Sequence, residues 1–189
     1  MWCEDPGQEP IAKLAGALSE PELRERGRAL GRALRGGEVL LLDGPMGAGK
    51  TTFTRALAEG LAVDNPRQVR SPTFALCVEH PGPIPLVHID LFRLEPGGHQ
   101  AAGYAAFEAL GLDFEDDWLY APDRVLVVEW AERWRSPPVD HLAVRLEHLA
   151  DDASQRRLSL SRPPPAASRA YAALLRWAES VPDSRTKTE

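Results

Sequence analysis

The sequence predicts an α/β fold, a three-layer sandwich around a mixed, mostly parallel central sheet. Two apolar runs, Val39-Leu40-Leu41-Leu42 and Val125-Leu126-Val127-Val128, lack the alternation of a half-solvated strand and read as buried strands. Helical periodicity in the intervening and flanking segments supplies layers to cover such strands. Leu86 to Phe92 returns on the strand before it after only the Pro81–Pro85 turn. So short a connection requires an antiparallel neighbour, which makes the sheet mixed.

At 189 residues the chain suits one α/β domain with tails. Hydrophobic residues make up 43% and charged residues 26%, as in ordinary globular proteins, and the formal net charge of −6 argues against a dedicated nucleic-acid binder. Cys3 and Cys77 form neither a metal pattern nor a disulfide framework, no apolar run reaches membrane-spanning length, and the acidic N-terminus lacks a signal-peptide pattern. A cytoplasmic location is expected.

In chain order, residues 1–18 are expected to be a mobile N-terminal segment, 19–161 the domain, and 162–189 a proline-rich linker, a short amphipathic helix and a disordered tail. Ser19 caps a helix with Glu22 completing a capping box and Pro21 in the first turn; Leu23, Gly27, Leu30, Gly31 and Leu34 form its buried stripe and Gly36-Gly37 end it. Arg24, Arg28, Arg32 and Arg35 run beside that stripe. They suit RNA, an acidic partner or a solvated face matched to the helix dipole, and the last reading is favoured. Phe53, Leu57 and Leu61 mark a second helix. Alternation from Phe74 to about Glu79 reads as a strand, followed by the returning strand Leu86 to Phe92. A helix is expected from about His99 to Leu110, then an acidic stretch to Asp123 with Phe114 and Trp118 turned inward. Alternating strands at Leu142–Leu146 and Arg157–Leu160 close the domain. Beyond Arg162-Pro163-Pro164-Pro165, Tyr171, Leu174, Leu175 and Trp177 make the short helix, expected to cap the domain, with docking of a partner the less favoured alternative.

Between the first strand and second helix stands Gly44-Pro45-Met46-Gly47-Ala48-Gly49-Lys50-Thr51, which fits G-x-x-x-x-G-K-[ST]. Such a loop wraps phosphates in backbone N–H groups at a helix N-terminus. Lys50 provides a cation for the β/γ-phosphates and Thr51 a hydroxyl for Mg²⁺. The strand–loop–helix context makes the expected fold P-loop NTPase-like and the expected ligand a nucleoside triphosphate. A phosphate loop needs an acid at a neighbouring strand end. Asp90 and Glu129 both qualify to hold Mg²⁺ directly or through water, and spacing does not rank them. His88 shares a strand face with Asp90, where it suits bonding to Asp90, to a phosphate, or a purely structural role. Arg93 reads as a charge neutraliser or a surface ion pair, and Trp130 as a site residue or a core tryptophan.

No Asn-Lys-x-Asp guanine reader is present, so ATP is favoured over GTP. Leu94 to Asp123 contains no arginine, which counts against the alternative of a P-loop small-molecule kinase with an arginine-rich lid. A non-hydrolysing nucleotide sensor is a third possibility.

Gly44 to Thr52 as GxxGAGKTT, Ser71-Pro72-Thr73-Phe74, His88-Ile89-Asp90-Leu91-Phe92-Arg93-Leu94 and Glu129-Trp130 together resemble the TsaE family, from about Ser19 to Leu160. Those proteins are bacterial ATPase subunits of the machinery that makes threonylcarbamoyladenosine beside the tRNA anticodon. The resemblance implies ATP at Gly44, Gly47, Ala48, Gly49, Lys50, Thr51 and Thr52, with Lys50, Asp90 and Glu129 serving catalysis. It implies Thr51 and Glu129 as Mg²⁺ ligands, Asp90 as the second essential acid, and Ser71, Pro72 and Thr73 as a switch-like loop. It also suggests Glu20 and Arg157 near the adenine. Implied partners are TsaD-like and TsaB-like subunits, with tRNA reached through that complex, hydrolysis that is weak without them, and no membrane. Phe92 departs from the family's usual tyrosine and Ala131 from a frequent proline.

Overall fold

The computed structural model describes residues 12–93, 119–134, 137–152, 154–161 and 169–180. Among these, seven strands form one sheet: β1 (Ala12–Leu18), β2 (Val39–Asp43), β3 (Cys77–His80), β4 (Leu86–Asp90), β5 (Val125–Glu129), β6 (Leu142–His148) and β7 (Arg156–Ser161). Their order is β1-β7-β6-β2-β5-β4-β3. The four central strands β6, β2, β5 and β4 run parallel, while β3 and the β7-β1 edge pair antiparallel. The sheet is therefore mixed, as the short hairpin turn required.

Three helices, α1 (Glu20–Ala33), α2 (Lys50–Gly60) and α3 (Arg169–Ser180), cover one face of the sheet. Alternate residues of the central strands point to the two faces: Leu40, Leu42, Val125 and Val127 meet these helices, while Val39, Leu41, Leu126 and Val128 face the other way. There they pack with Leu119, half-buried Tyr120 and the short 3₁₀ turn Ala131–Arg133. The helix expected at 99–110, with Phe114 and Trp118, lies outside the described residues, as do 1–11, 162–168 and 181–189.

Helix α1 begins as expected, with the Glu22 carboxylate accepting the Ser19 N–H at 2.9 Å. Its small residues allow α2 to come close. A Cβ on Gly31 would lie 2.2 Å from the Leu57 carbonyl oxygen, and one on Gly60 would lie 2.2 Å from that of Arg28. Main chain thus meets main chain between α1 and α2, anchoring the helix that follows the phosphate loop. Three arginines of α1 are paired within the chain: Arg24 with Glu20, Arg28 with Glu25 and Glu59, and Arg32 with Glu25. A solvated, self-paired face accounts for them.

Two boundaries are corrected, and the C-terminal helix caps the domain as expected. Ala12–Leu18 is an edge strand on β7, inside the segment expected to be mobile; its register runs from Ala12 opposite Leu160 to Leu18 opposite Arg156, with a shift between Leu14 and Leu18. Alanines and a glycine give weak local β-preference, and the strand exists because a distant partner supplies its hydrogen bonds. The strand expected from Phe74 starts only at Cys77, because 73–75 form turns and Leu76, at φ 60°, donates its N–H to the Pro72 carbonyl oxygen at 2.7 Å. The C-terminal helix belongs to the domain core: Leu174 and Trp177 are buried in it, and Trp177 Nε1 donates to the Arg26 carbonyl oxygen at 3.2 Å. No helix among the described residues is long and apolar enough to cross a membrane.

Candidate functional site

Strand β2 runs into the loop 44–49 and then into α2, so the loop lies at the carboxyl end of a central strand, against a helix N-terminus. Gly44, Gly47 and Gly49 take φ values of +140°, +76° and +100°. At Gly44 glycine is obligatory, because a Cβ would lie 2.1 Å from the Leu146 carbonyl oxygen on β6. Lys50 folds over the loop: Nζ donates to the Gly44 carbonyl oxygen and, at 3.0 Å, to that of Pro45, and lies 3.6 Å from the centre of the Trp130 ring. Burial lowers the Lys50 pKa against the opposing pull of the Glu129, Glu132, Asp43 and Asp90 carboxylates.

Parallel pairing of β4 with β5 places Asp90 opposite Glu129, so the two strand-end acids stand side by side. Both are buried, and their partners differ. Glu129 Oε2 accepts the Thr51 hydroxyl at 2.9 Å; Oε1 lies 3.2 Å from the Thr54 hydroxyl and 2.8 Å from His88 Nε2. Asp90 Oδ2 accepts from the Ser71 hydroxyl and, at 2.9 Å, from that of Thr73, while Oδ1 accepts the Phe92 N–H at 2.8 Å. Pro72, between the two hydroxyls, is buried. Phe74, which follows them, is 86% exposed, with the Arg93 guanidinium 4.0 Å from its ring centre.

A cleft of about 370 Å³ connects these groups. Its wall includes Gly47, Gly49, Lys50, Thr51, Thr52, Ser71, Thr73, Asp90, Phe92, Glu129 and Trp130. Ala48 is buried behind it, and Gly44 borders a second cleft across the loop with Asp43, Glu132, Arg145 and Glu147. There Glu132 is raised to about 7, first by desolvation and further by its neighbour Asp43, whose own Oδ1 accepts the Gly44 N–H at 2.6 Å.

Two suggested residues lie elsewhere. Glu20, on the first turn of α1, pairs with Arg24 at 3.1 Å and does not line the cleft. Arg157 is exposed beside Glu147, at 3.8 Å; its neighbour Arg156 reaches the loop instead, with Nη2 3.3 Å from the Gly47 carbonyl oxygen. Strand alternation sends the two arginines to opposite faces. His88 contacts Glu129 rather than Asp90. Trp130, half-buried at φ 58°, walls the cleft and also packs against the core on that face of the sheet. Sequence reasoning missed His148, whose Nε2 lies 3.1 Å from the Met46 carbonyl oxygen, and Thr54, although its place one turn beyond Lys50 in the helix was a usable signal.

A central parallel strand, a glycine loop and a helix-borne Lys-Thr pair beside strand-end acids define an α/β protein of the P-loop type. A structure titled "Crystal structure of Bacillus subtilus YdiB" shares this fold, with a TM-score of 0.60 over 86% of this chain and 91% of that one, at 22% identity. The family model described as "Threonylcarbamoyl adenosine biosynthesis protein TsaE" matches residues 18–158. Proteins named "tRNA threonylcarbamoyladenosine biosynthesis protein TsaE" are similar to this chain. The one from Streptomyces coelicolor is 40% identical, covering 70% of this chain and 83% of its own length. Those from Nostoc sp. and Bacillus subtilis are 38% and 35% identical, over 70% and 75% of this chain and 76% and 72% of theirs. The chain belongs to the TsaE family.

Proposed function

We propose that this chain is a Mg²⁺-dependent ATP-binding and hydrolysing subunit that supports threonylcarbamoyladenosine formation in tRNA by acting on a TsaB-like and TsaD-like complex. One observation carries the reading: the Thr51 hydroxyl, one residue after the loop lysine, lies 2.9 Å from the carboxylate of Glu129 at the end of the adjacent strand. The residues fit the ion. Among the described residues no group of three or more His, Cys, Asp or Glu is placed to hold a metal alone. Mg²⁺ does not need one, since it takes one or two protein oxygens and completes its shell with phosphates and water. Thr51 and Glu129 would hold it, and when bound it neutralises phosphate charge and polarises the terminal phosphoryl group.

The chain's own groups do the rest. The loop amides and α2 N-terminus favour an anion at the cleft floor. Lys50, whose Nζ donates to the Gly44 and Pro45 carbonyls, would turn toward the phosphates, with burial strengthening that attraction. Asp90 holds the Ser71–Thr73 loop over the cleft through its hydroxyl contacts, which ties loop position to the occupant. The proposed output is a change at this loop, read by the partner subunits.

Calorimetry with ATP and Mg²⁺, alone and with TsaB-like and TsaD-like subunits, tests the binding. Phosphate release in the same mixtures tests hydrolysis. Heat of binding and turnover that rises with the partners support the reading; absence of binding in every mixture overturns it.

A further inference from the structure

We propose that His88 and Thr54 are positioning residues for Glu129: together they hold one carboxylate oxygen so that the other stays beside the Thr51 hydroxyl. The inference rests on the reading that Thr51 and Glu129 serve the metal of bound ATP. Glutamate reaches a metal on three rotatable bonds, so an unsupported side chain samples many positions that miss it. Here Oε1 is held by groups from two different rigid elements, His88 on the neighbouring strand β4 and Thr54 on α2, while Oε2 alone is left to Thr51.

The two holders are unequal. Thr54 Oγ1 lies 3.0 Å from the Lys50 carbonyl oxygen as well as 3.2 Å from Glu129, and its single proton is shared between them. His88 Nε2, at 2.8 Å, is the constant donor. Its ring is fully buried, and Nδ1 has no hydrogen-bond partner among the described residues. A proton on Nδ1 would be left unsatisfied and would turn the Nε2 lone pair against carboxylate lone pairs. The Nε2–H tautomer avoids both, so this fold selects the form of the imidazole that donates to Glu129. The ring of His80 stands 6.1 Å from that of His88.

The test separates positioning from structure. Nucleotide affinity is measured with excess Mg²⁺ and again with EDTA, in the full chain and in His88→Leu, His88→Gln and Thr54→Val. Loss of a group that orients a metal ligand costs about tenfold or more in metal-linked affinity. The Mg²⁺ enhancement should therefore fall about tenfold in His88→Leu, recover in His88→Gln, whose amide is again a donor, and fall less in Thr54→Val. Affinity in EDTA should not change. Long-range ¹⁵N spectra of the unliganded chain should show His88 protonated at Nε2. Full Mg²⁺ enhancement in a folded His88→Leu chain overturns the inference, as does an Nδ1–H signature. If His88→Leu does not fold, His88→Gln and Thr54→Val decide: equal losses of affinity with metal and with EDTA in both reject positioning. A wild-type chain that binds ATP equally well with and without Mg²⁺ removes the metal reading itself, a result distinct from any difference among the variants.

Discussion

Asp90 and Glu129 end adjacent strands in register, yet they are held in opposite ways. Glu129 is gripped by elements that do not move independently: α2 on one side and the central sheet, through His88, on the other. Asp90 spends one oxygen on the hydroxyls of Ser71 and Thr73, at the entry to the turns of 73–75. Equivalent positions therefore serve different ends. A carboxylate pinned by packed elements suits a fixed ligand, and one pinned by a loop makes the position of that loop depend on its own partners.

The sharpest way to break this contrast is to remove the fixed acid. Glu129→Ala should lower Mg²⁺-dependent ATP turnover by on the order of 10²-fold or more, with unchanged proteolysis of the 71–76 loop. Circular dichroism should confirm an intact fold, and retained turnover would reject the site. Stiffness of the fixed half is open to a second attack. Gly44→Ala places a Cβ 2.1 Å from the Leu146 carbonyl oxygen, and should cost about 2 kcal/mol in denaturant unfolding by forcing β2 and β6 apart. Gly47→Ala, at φ +76° but with nothing nearer than 3.8 Å, should cost less, about 1 kcal/mol.

On the loop side, Asp90→Asn keeps an oxygen for the Phe92 N–H but sets an amide group against the Ser71 and Thr73 hydroxyls. Turnover should fall roughly tenfold, and limited proteolysis should now cut near 71–76, an outcome not expected of Glu129→Ala. Cleavage patterns alike in the two variants would erase the distinction. The smallest effect concerns Glu132, across the loop, whose pKa is raised to about 7 by desolvation and by Asp43. A raised carboxyl binds its proton more tightly in the folded chain than in the unfolded one. Its contribution is fully present below the unfolded pKa and is lost as pH rises toward 7. Glu132→Gln should flatten that part of the stability profile, and an unchanged slope between the two pKa values would assign it to other groups.

Much of this was legible locally. The buried strands β2 and β5, the capped start of α1, the glycine loop and the β3–β4 hairpin each declare themselves within a few residues, because burial period, capping and turn chemistry are short-range. The loop from Ser71 misled for the same reason: alternating apolar residues from Phe74 suggested a strand, whereas the side chain of Asp90, nineteen positions on, claims Ser71 and holds turns there. The edge strand Ala12–Leu18 had no local signature at all, since its hydrogen bonds come from β7.

The amino-acid order alone was enough to specify a glycine-rich loop of the P-loop pattern, two acids at strand ends and the family, since each rests on residue type at fixed spacing. Which acid is fixed and which is tethered to a loop, that Arg156 rather than Arg157 meets the glycine loop, and that His88 serves Glu129 were settled by folding. Those outcomes depend on register, strand face and packing between segments far apart in the chain. Such relations arise only when hydrophobic burial closes the sheet and brings distant side chains within bonding distance.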